Sequence, residues 1–326
     1  MANLLAQLSQ MTTVVADTGD LAAIARLRPI DATTNPSLIT AAAALPSSEP
    51  LLNDAHQQAV KEGLTGDAMI ERMIDLLTVR LGVEILGLIT GRVSTEVDAR
   101  LSYDTQPTIN KAHELIGLYQ AAGIEKDRVL IKIAATWQGI KAAEILEQEG
   151  IHCNLTLLFG MHQAVACAEG GITLISPFVG RILDWQKKSE GRSDIPVTED
   201  AGVQSVKQIY AYYKQHGYLT EVMGASFRSS AQIIALAGCD LLTISPALLD
   251  ELANTDGQLT QALSADDATQ SGLDKFSLDE AVFTRQHTDN PMACDLLQAG
   301  IDGFIKAREQ LTLQLRQAFG VGELAP

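Results

Sequence analysis

The stretch Val129-Leu130-Ile131-Lys132-Ile133-Ala134 places one lysine in an otherwise apolar run of six residues. It is too short for a typical helix and has no polar face, which is the pattern of a strand covered on both sides in a parallel sheet. Lysine is seldom buried without a partner or a task. This strand therefore raises two questions together: what encloses it, and what its amine does there.

Working outward, β-type runs recur with helical stretches between them, as in βαβ units. Eight are read: Thr12 to Asp17, Asp31 to Asn35, Arg92 to Val97, Val129 to Ala134, His152 to Leu158, Ile172 to Phe178, Glu221 to Ser226 and Leu241 to Ser245. Several are spaced by about 20 residues, close to the minimum for strand, loop, helix and loop. Eight such units predict an α/β fold that closes into a single (β/α)8 TIM barrel with additional helices. No linker, repeat or low-complexity segment divides the chain, so residues 1–326 read as one domain.

Helix signals agree with this spacing. Asp20 is placed to cap Leu21 to Leu27, and Asp67 opens a run with Met69, Ile70, Met73, Ile74, Leu77 and Leu81 at helical period. Val83 to Ile89 reads as the continuation of that helix, ended by Gly91. Asn290 and Pro291 start a long C-terminal helix striped by Leu297, Ile301, Phe304, Ile305 and Leu311 and stopped at Gly320. Lys187 to Asp200, charged and containing Gly191 and Pro196, reads as a solvated loop.

Composition narrows the classes of function. The formal charge is −16, and no basic run is longer than Lys187-Lys188, which argues against nucleic acid or an anionic membrane as partner. No apolar stretch reaches the length of a membrane helix, and the N-terminus lacks signal-peptide features, so a cytoplasmic protein is expected. Cys153, Cys167, Cys239 and Cys294 are far apart, and the six histidines are scattered, so neither a disulfide framework nor a metal site is indicated. The glycines at Gly170-Gly171 and Gly320 to Gly322 match no nucleotide-binding loop.

Side-chain alternation then predicts which residues point into the barrel. Lys132 shares a parity with Leu130 and Ala134; Asn154 and Thr156 share one with His152; Glu96 and Ser94 with Arg92; Thr33 and Asn35 with Asp31; and in the seventh run Gly224, Ser226 and Arg228 share one. Asp17 ends the first run and Ser176 lies near the end of the sixth. Polar groups thus collect near the C-terminal ends of the strands, where barrel enzymes hold their chemistry. Burial disfavours an ammonium and increases the neutral amine able to attack a carbonyl, so Lys132 can form a Schiff base. Asp17 and Glu96 then make sense as proton carriers.

Plainer roles compete with each of these. Lys132 fits a surface position or a structural ion pair with Glu96. Asp17 and Asp31 fit turn or capping roles, and Asp31 is read as structural. Thr33, Asn35, Asn154, Thr156 and Ser176 can each satisfy local backbone groups. Arg181 and Arg228 follow strand ends, where a planar fork can hold phosphate. Trp185 and Phe178 read more readily as packing than as ligand stacking.

Several stretches resemble one family in order: DATTNPSL at Asp31 to Leu38, GRVSTEVDARLSYDT at Gly91 to Thr105, VLIKIAATWQGIKAAEIL at Val129 to Leu146, CNLTLLF at Cys153 to Phe159, ISPFVGRILDW at Ile175 to Trp185 and MGASFR at Met223 to Arg228. They resemble transaldolase, from about Met11 to the C-terminal helix. Gly160-Met161-His162 and Ser245 look individual, and Leu263 to His287 matches only loosely.

The resemblance implies a cofactor-free, Schiff-base-forming transferase of the pentose phosphate pathway, commonly a homodimer. Such an enzyme moves a dihydroxyacetone unit between sugar phosphates. Lys132 resembles the family's nucleophile, Glu96 its proton shuttle acting with Thr156 through a water, and Asp17 the acid/base at the hydroxyl released on carbon–carbon cleavage. Asn35 and Asn154 resemble groups holding the dihydroxyacetone hydroxyls, with Ser176 and Thr33 beside the substrate; Arg181, Ser226 and Arg228 resemble a phosphate clamp. The related fructose-6-phosphate aldolases carry tyrosine where this chain has Phe178, which favours transfer over cleavage alone. A cleavage-only lyase and a silent sugar-phosphate-binding barrel remain the alternatives.

Overall fold

The computed structural model describes residues 3–322. Eight parallel strands close into a barrel in sequence order. They are β1 (Thr13–Asp17), β2 (Asp31–Thr33), β3 (Val93–Glu96), β4 (Val129–Ala134), β5 (Cys153–Leu158), β6 (Leu174–Pro177), β7 (Glu221–Gly224) and β8 (Leu241–Ile244). All eight runs expected from the sequence are strands, within a few residues at either end. The extra residues assigned to the second and eighth runs are helix starts instead: Asn35 and Ser245 are the N-caps of the helices Pro36–Ala43 and Pro246–Ala253.

The helical expectations hold equally. The side chain of Asp20 accepts from Ala22 and Ala23 at the start of Leu21–Leu27. Gly66–Leu88 runs unbroken through the apolar segment before β3, although its N-cap is Thr65. Pro291–Phe319 is capped by the Asn290 side chain and ends at Gly320 with φ 64°. One expectation fails, because Lys187 to Glu190 belong to the last turn of the helix Gly180–Glu190 and Asp200 is not solvated. Asp200 is 1% exposed and caps the helix Ala201–Gln215. The hydrophilic composition of the segment concealed a carboxylate whose acceptors are all used by backbone and side-chain donors.

The apolar outer faces of the strands and the inner faces of the helices form one large core. Inside the barrel, Val15, Leu130, Leu174, Met223 and Leu241 make a separate apolar layer toward the N-terminal end. Below that layer, Asp31 accepts from the backbone N–H of Arg92 at 2.8 Å, and Arg92 also pairs with Glu221 at 2.9 Å. This is the structural role expected of Asp31, at the end of the barrel away from Lys132.

Met223 in that layer corrects the expected parity of β7. Met223 faces inward, whereas a side chain at Gly224 would meet Leu242, Phe227 and Leu236 outside the barrel. Ser226 has φ 63°, and that left-handed residue breaks the alternation on which the parity reading relied.

The C-terminal helix crosses the barrel mouth. Together with Leu157, Phe159, Phe178 and Ile182, its Ala293, Leu297, Ile301 and Phe304 form a second cluster. Leu157 reaches it because β5 carries a bulge and Leu157 adopts φ 56°. Gly300 is where helix and barrel approach most closely: a Cβ there would lie 2.5 Å from the Leu157 side chain.

Candidate active site

Register fixes the first layer of the site. Glu96 on β3 lies opposite Lys132 on β4, Lys132 opposite Asn154 on β5, and Ala134 opposite Thr156. On the other side of the barrel Asp17 pairs in register with Thr33. Inward parity on neighbouring strands therefore sets Glu96, Lys132 and Asn154 side by side, with Thr156 one inward step further along β5 and Thr33 opposite Ser94, one inward step before Glu96. The lysine strand sits among them, as expected from VLIKIA.

Lys132 is 5% exposed. Its Nζ donates to the Thr34 carbonyl at 3.2 Å and lies 3.6 Å from Glu96 Oε2. Glu96 Oε2 and Thr156 Oγ1 are both buried without a hydrogen-bond partner. Buried polar atoms are nearly always satisfied, so an unpaired oxygen here marks a place for a reacting group or water. Burial raises the Glu96 carboxyl to about 7, against the opposing effect of Lys132. Burial also raises Asp17, opposed by Lys132, by a hydrogen bond from Thr33 and by Arg181.

Neighbouring hydroxyls and amides hold these groups in place. Thr33 Oγ1 donates to Asp17 Oδ1 at 3.1 Å and lies 2.8 Å from Thr243 Oγ1. Asn154 Nδ2 donates to Ser94 Oγ at 3.0 Å, while Ser176 Oγ donates to Asn154 Oδ1 at 2.6 Å. The amide orientation of Asn154 is thus determined by β3 on one side and β6 on the other. Asn35 Oδ1 accepts from Leu38 N–H at 3.0 Å, and the residue lines the cavity described next.

Above this layer lies a cavity of about 230 Å³, lined among others by Asp17, Thr33, Asn35, Lys132, Ser176 and Phe178, and toward the rim by Arg181, Ser226 and Arg228. Two guanidinium groups face one opening. Arg181 stacks 4.8 Å from the Phe178 ring centre and 5.9 Å from that of Phe304. Burial, and after it the nearby Arg228, lowers its pKa from the usual arginine value. Arg228 is anchored through Nε and Nη2 to Asp184 Oδ2 at 3.0 and 2.8 Å. Gly180 permits this arrangement, since a Cβ there would lie 2.2 Å from the Ser226 carbonyl.

Nine of the twelve residues singled out from the sequence line the cavity, while Glu96, Asn154 and Thr156 lie within the barrel wall beside it. Thr243, Ser245, Ala225, Phe227 and Phe304 also line it and were not selected. Thr243 was detectable: it is the lone polar residue of Leu241-Leu242-Thr243-Ile244 and shares the inward parity of Leu241. Phe304 had no such signal, because only the fold of the C-terminal helix brings it to the mouth. Trp185 stays outside the cavity and donates to Asp295 at 3.2 Å.

A lysine, two buried carboxyls and an arginine pair at one barrel mouth can be compared with known proteins. The family profile described as Transaldolase/Fructose-6-phosphate aldolase matches residues 14–315. The chain is 60% identical over 318 residues to a protein named Transaldolase from Thermosynechococcus vestitus, covering 97% of this chain and 81% of that protein. It is 59% identical over 318 residues to a Transaldolase from Nostoc sp., covering 97% and 96%, and 58% identical over 312 residues to one from Methylococcus capsulatus, covering 95% of each. Sequence motifs, barrel and site converge, and the chain belongs to the transaldolase/fructose-6-phosphate aldolase family.

Proposed function

We propose that the protein is a transaldolase working through a Schiff base on Lys132. The observation that carries this reading is an amine enclosed by the strands, 3.6 Å from a carboxyl raised to about 7 and sharing a cavity with Asp17. In this reading the Lys132 nitrogen pair attacks the ketone carbon of fructose 6-phosphate or sedoheptulose 7-phosphate. Loss of the carbinolamine oxygen as water then leaves an iminium that withdraws electrons from the adjacent carbon–carbon bond. Asp17 takes the proton of the neighbouring hydroxyl as that bond breaks and an aldose phosphate departs. The electron pair left on the three-carbon unit adds to the carbonyl of a second aldose phosphate, whose oxygen recovers the proton from Asp17.

Glu96 suits the dehydration and hydrolysis steps, because a group titrating near neutrality both donates and accepts protons. In this reading the Thr156 hydroxyl, buried without a hydrogen-bond partner, shares a water with it. Asn35 and Asn154 hold the dihydroxyacetone hydroxyls, with Thr33 and Ser176 beside them, and Arg181, Ser226 and Arg228 bind phosphate. The chain works as one catalytic domain over residues 1–326, as a homodimer in the cytoplasm; among the described residues no helix is long and apolar enough to cross a membrane.

The test is borohydride reduction in the presence of fructose 6-phosphate, followed by peptide mass spectrometry. An adduct on Lys132 supports the mechanism, and an adduct on another lysine or none refutes it. Glyceraldehyde 3-phosphate release that requires erythrose 4-phosphate supports transfer; equal release without it makes the protein a lyase.

A further inference from the structure

A second recess, part charged and part apolar, adjoins the site. It lies at the C-terminal ends of β2 and β3, between the helices Gly66–Leu88 and Thr105–Ala121 and the C-terminal helix. It has about 30 Å³ of water-accessible space. Its walls include Glu96 and Thr34, the two residues that contact Lys132 Nζ. The opposite wall holds Asp75, Lys111 and Arg308. Lys111 Nζ donates to Asp75 Oδ2 at 2.6 Å, and Arg308 Nε lies 3.0 Å from Asp98 Oδ2. Partly exposed Thr78 also lines it.

Three features favour water in this recess. A void of this size holds about two water molecules; Ile39, Ile74, Leu115 and Leu311 line part of it, and Glu96, Asp75, Asp98, Lys111 and Arg308 give water there its polar partners. The carboxyl of Glu96, on its inner wall, is 3% exposed and has an oxygen without a hydrogen-bond partner. Lys111 is 19% exposed, so the outer wall reaches solvent through a charged group.

We propose that this recess is a second, water-carrying entrance to the site, which supplies water to Glu96 and removes it while sugar phosphate fills the barrel mouth. The proposal rests on the Schiff-base reading. Forming the iminium breaks a carbon–oxygen bond and expels one water, with the departing oxygen taking a proton from Glu96. Hydrolysis reverses this: a water oxygen bonds to the iminium carbon, its proton goes to Glu96, and the π pair returns to the Lys132 nitrogen. With ligand in the mouth and the C-terminal helix across it, this water needs another path, and the recess offers one beside the acid that handles its proton. Asp75, Lys111 and Arg308 are positioning residues for that water rather than groups that touch substrate.

The experiment measures the rate of oxygen-18 exchange from labelled water into the ketone of fructose 6-phosphate, per enzyme and per second without acceptor, with the full-length enzyme. Thr78→Leu fills part of the recess with a good helix former, and Thr78→Ser leaves its volume nearly unchanged. Thr78→Leu is expected to lower the exchange rate by about tenfold and to increase the steady-state fraction trapped by borohydride, with KM for the donor unchanged. Thr78→Ser is expected to match the wild type. Asp75→Asn, isosteric and carried by the wall opposite Glu96, serves as an independent variant and is expected to show a smaller effect of the same sign. Wild-type exchange and trapping in both Thr78→Leu and Asp75→Asn, with folding verified by circular dichroism, would overturn the water route. Failure to trap an adduct in the wild type would instead refute the Schiff base.

Discussion

Two layers inside the same barrel have opposite characters. One step along each strand pair separates Val15 from Asp17, Leu130 from Lys132 and Leu174 from Ser176. The lower members form a dry cluster, while the upper ones form the charged site. Sheet geometry is the same in both, and only the residue type changes. The lower layer therefore supplies rigidity from dispersion and burial, and the upper layer holds groups whose burial is unfavourable and useful for chemistry.

Substitutions that exchange the character of the layers test this division. Lys132→Met extends the dry layer upward and should cost transfer activity at least about 10⁴-fold, while the melting temperature changes little or rises; a kinetic and thermal comparison checks both. Glu96→Gln should lower turnover by about 10²–10³-fold. It should also alter the pH dependence of stability. The folded carboxyl is raised to about 7 from an ordinary 4.5, so the native state binds more protons than the unfolded chain between those values, and wild-type stability falls as pH rises through that window. The glutamine variant lacks this loss, so its melting temperature should gain on the wild type from pH 4.5 to 7 and run parallel above it.

Leu174→Ala opens a cavity in the dry layer and should destabilise the fold by about 2–5 kcal/mol, read from denaturant unfolding, while kcat per folded molecule stays near the wild-type value. At the outermost level, Arg228→Ala should raise KM for phosphorylated donor by about 10- to 100-fold and have little effect on free dihydroxyacetone. Equal effects on both would place Arg228 outside the phosphate site.

Much of this contrast was legible in the sequence because alternation is a local property. VLIKIA showed a strand buried on both faces, and its lysine marked the inward parity. The same reasoning placed Asn154 and Thr156 with Glu96. Reading failed where the backbone left regular geometry. In β7, the left-handed Ser226 uncouples Arg228 from the parity of the strand, so Ser226 and Arg228 reach the cavity for a different reason than the one inferred. In the segment before Ala201–Gln215, charged composition suggested solvent, whereas Asp200 is buried under a hydrogen bond from Gln232 at 2.7 Å; Gln232 in turn accepts from the Arg228 backbone.

The order of strands, the helices between them and the inward lysine were determined by the sequence alone, since each depends on periodicity and capping within about 20 neighbouring residues. Only tertiary closure decided that Phe304, far along the chain, would stack near Arg181 over the mouth, and that Asp75 and Lys111 would line a recess beside Glu96. Those contacts join segments that carry no shared local pattern. Their positions follow from how helices pack around a closed sheet, and that packing depends on the whole chain at once.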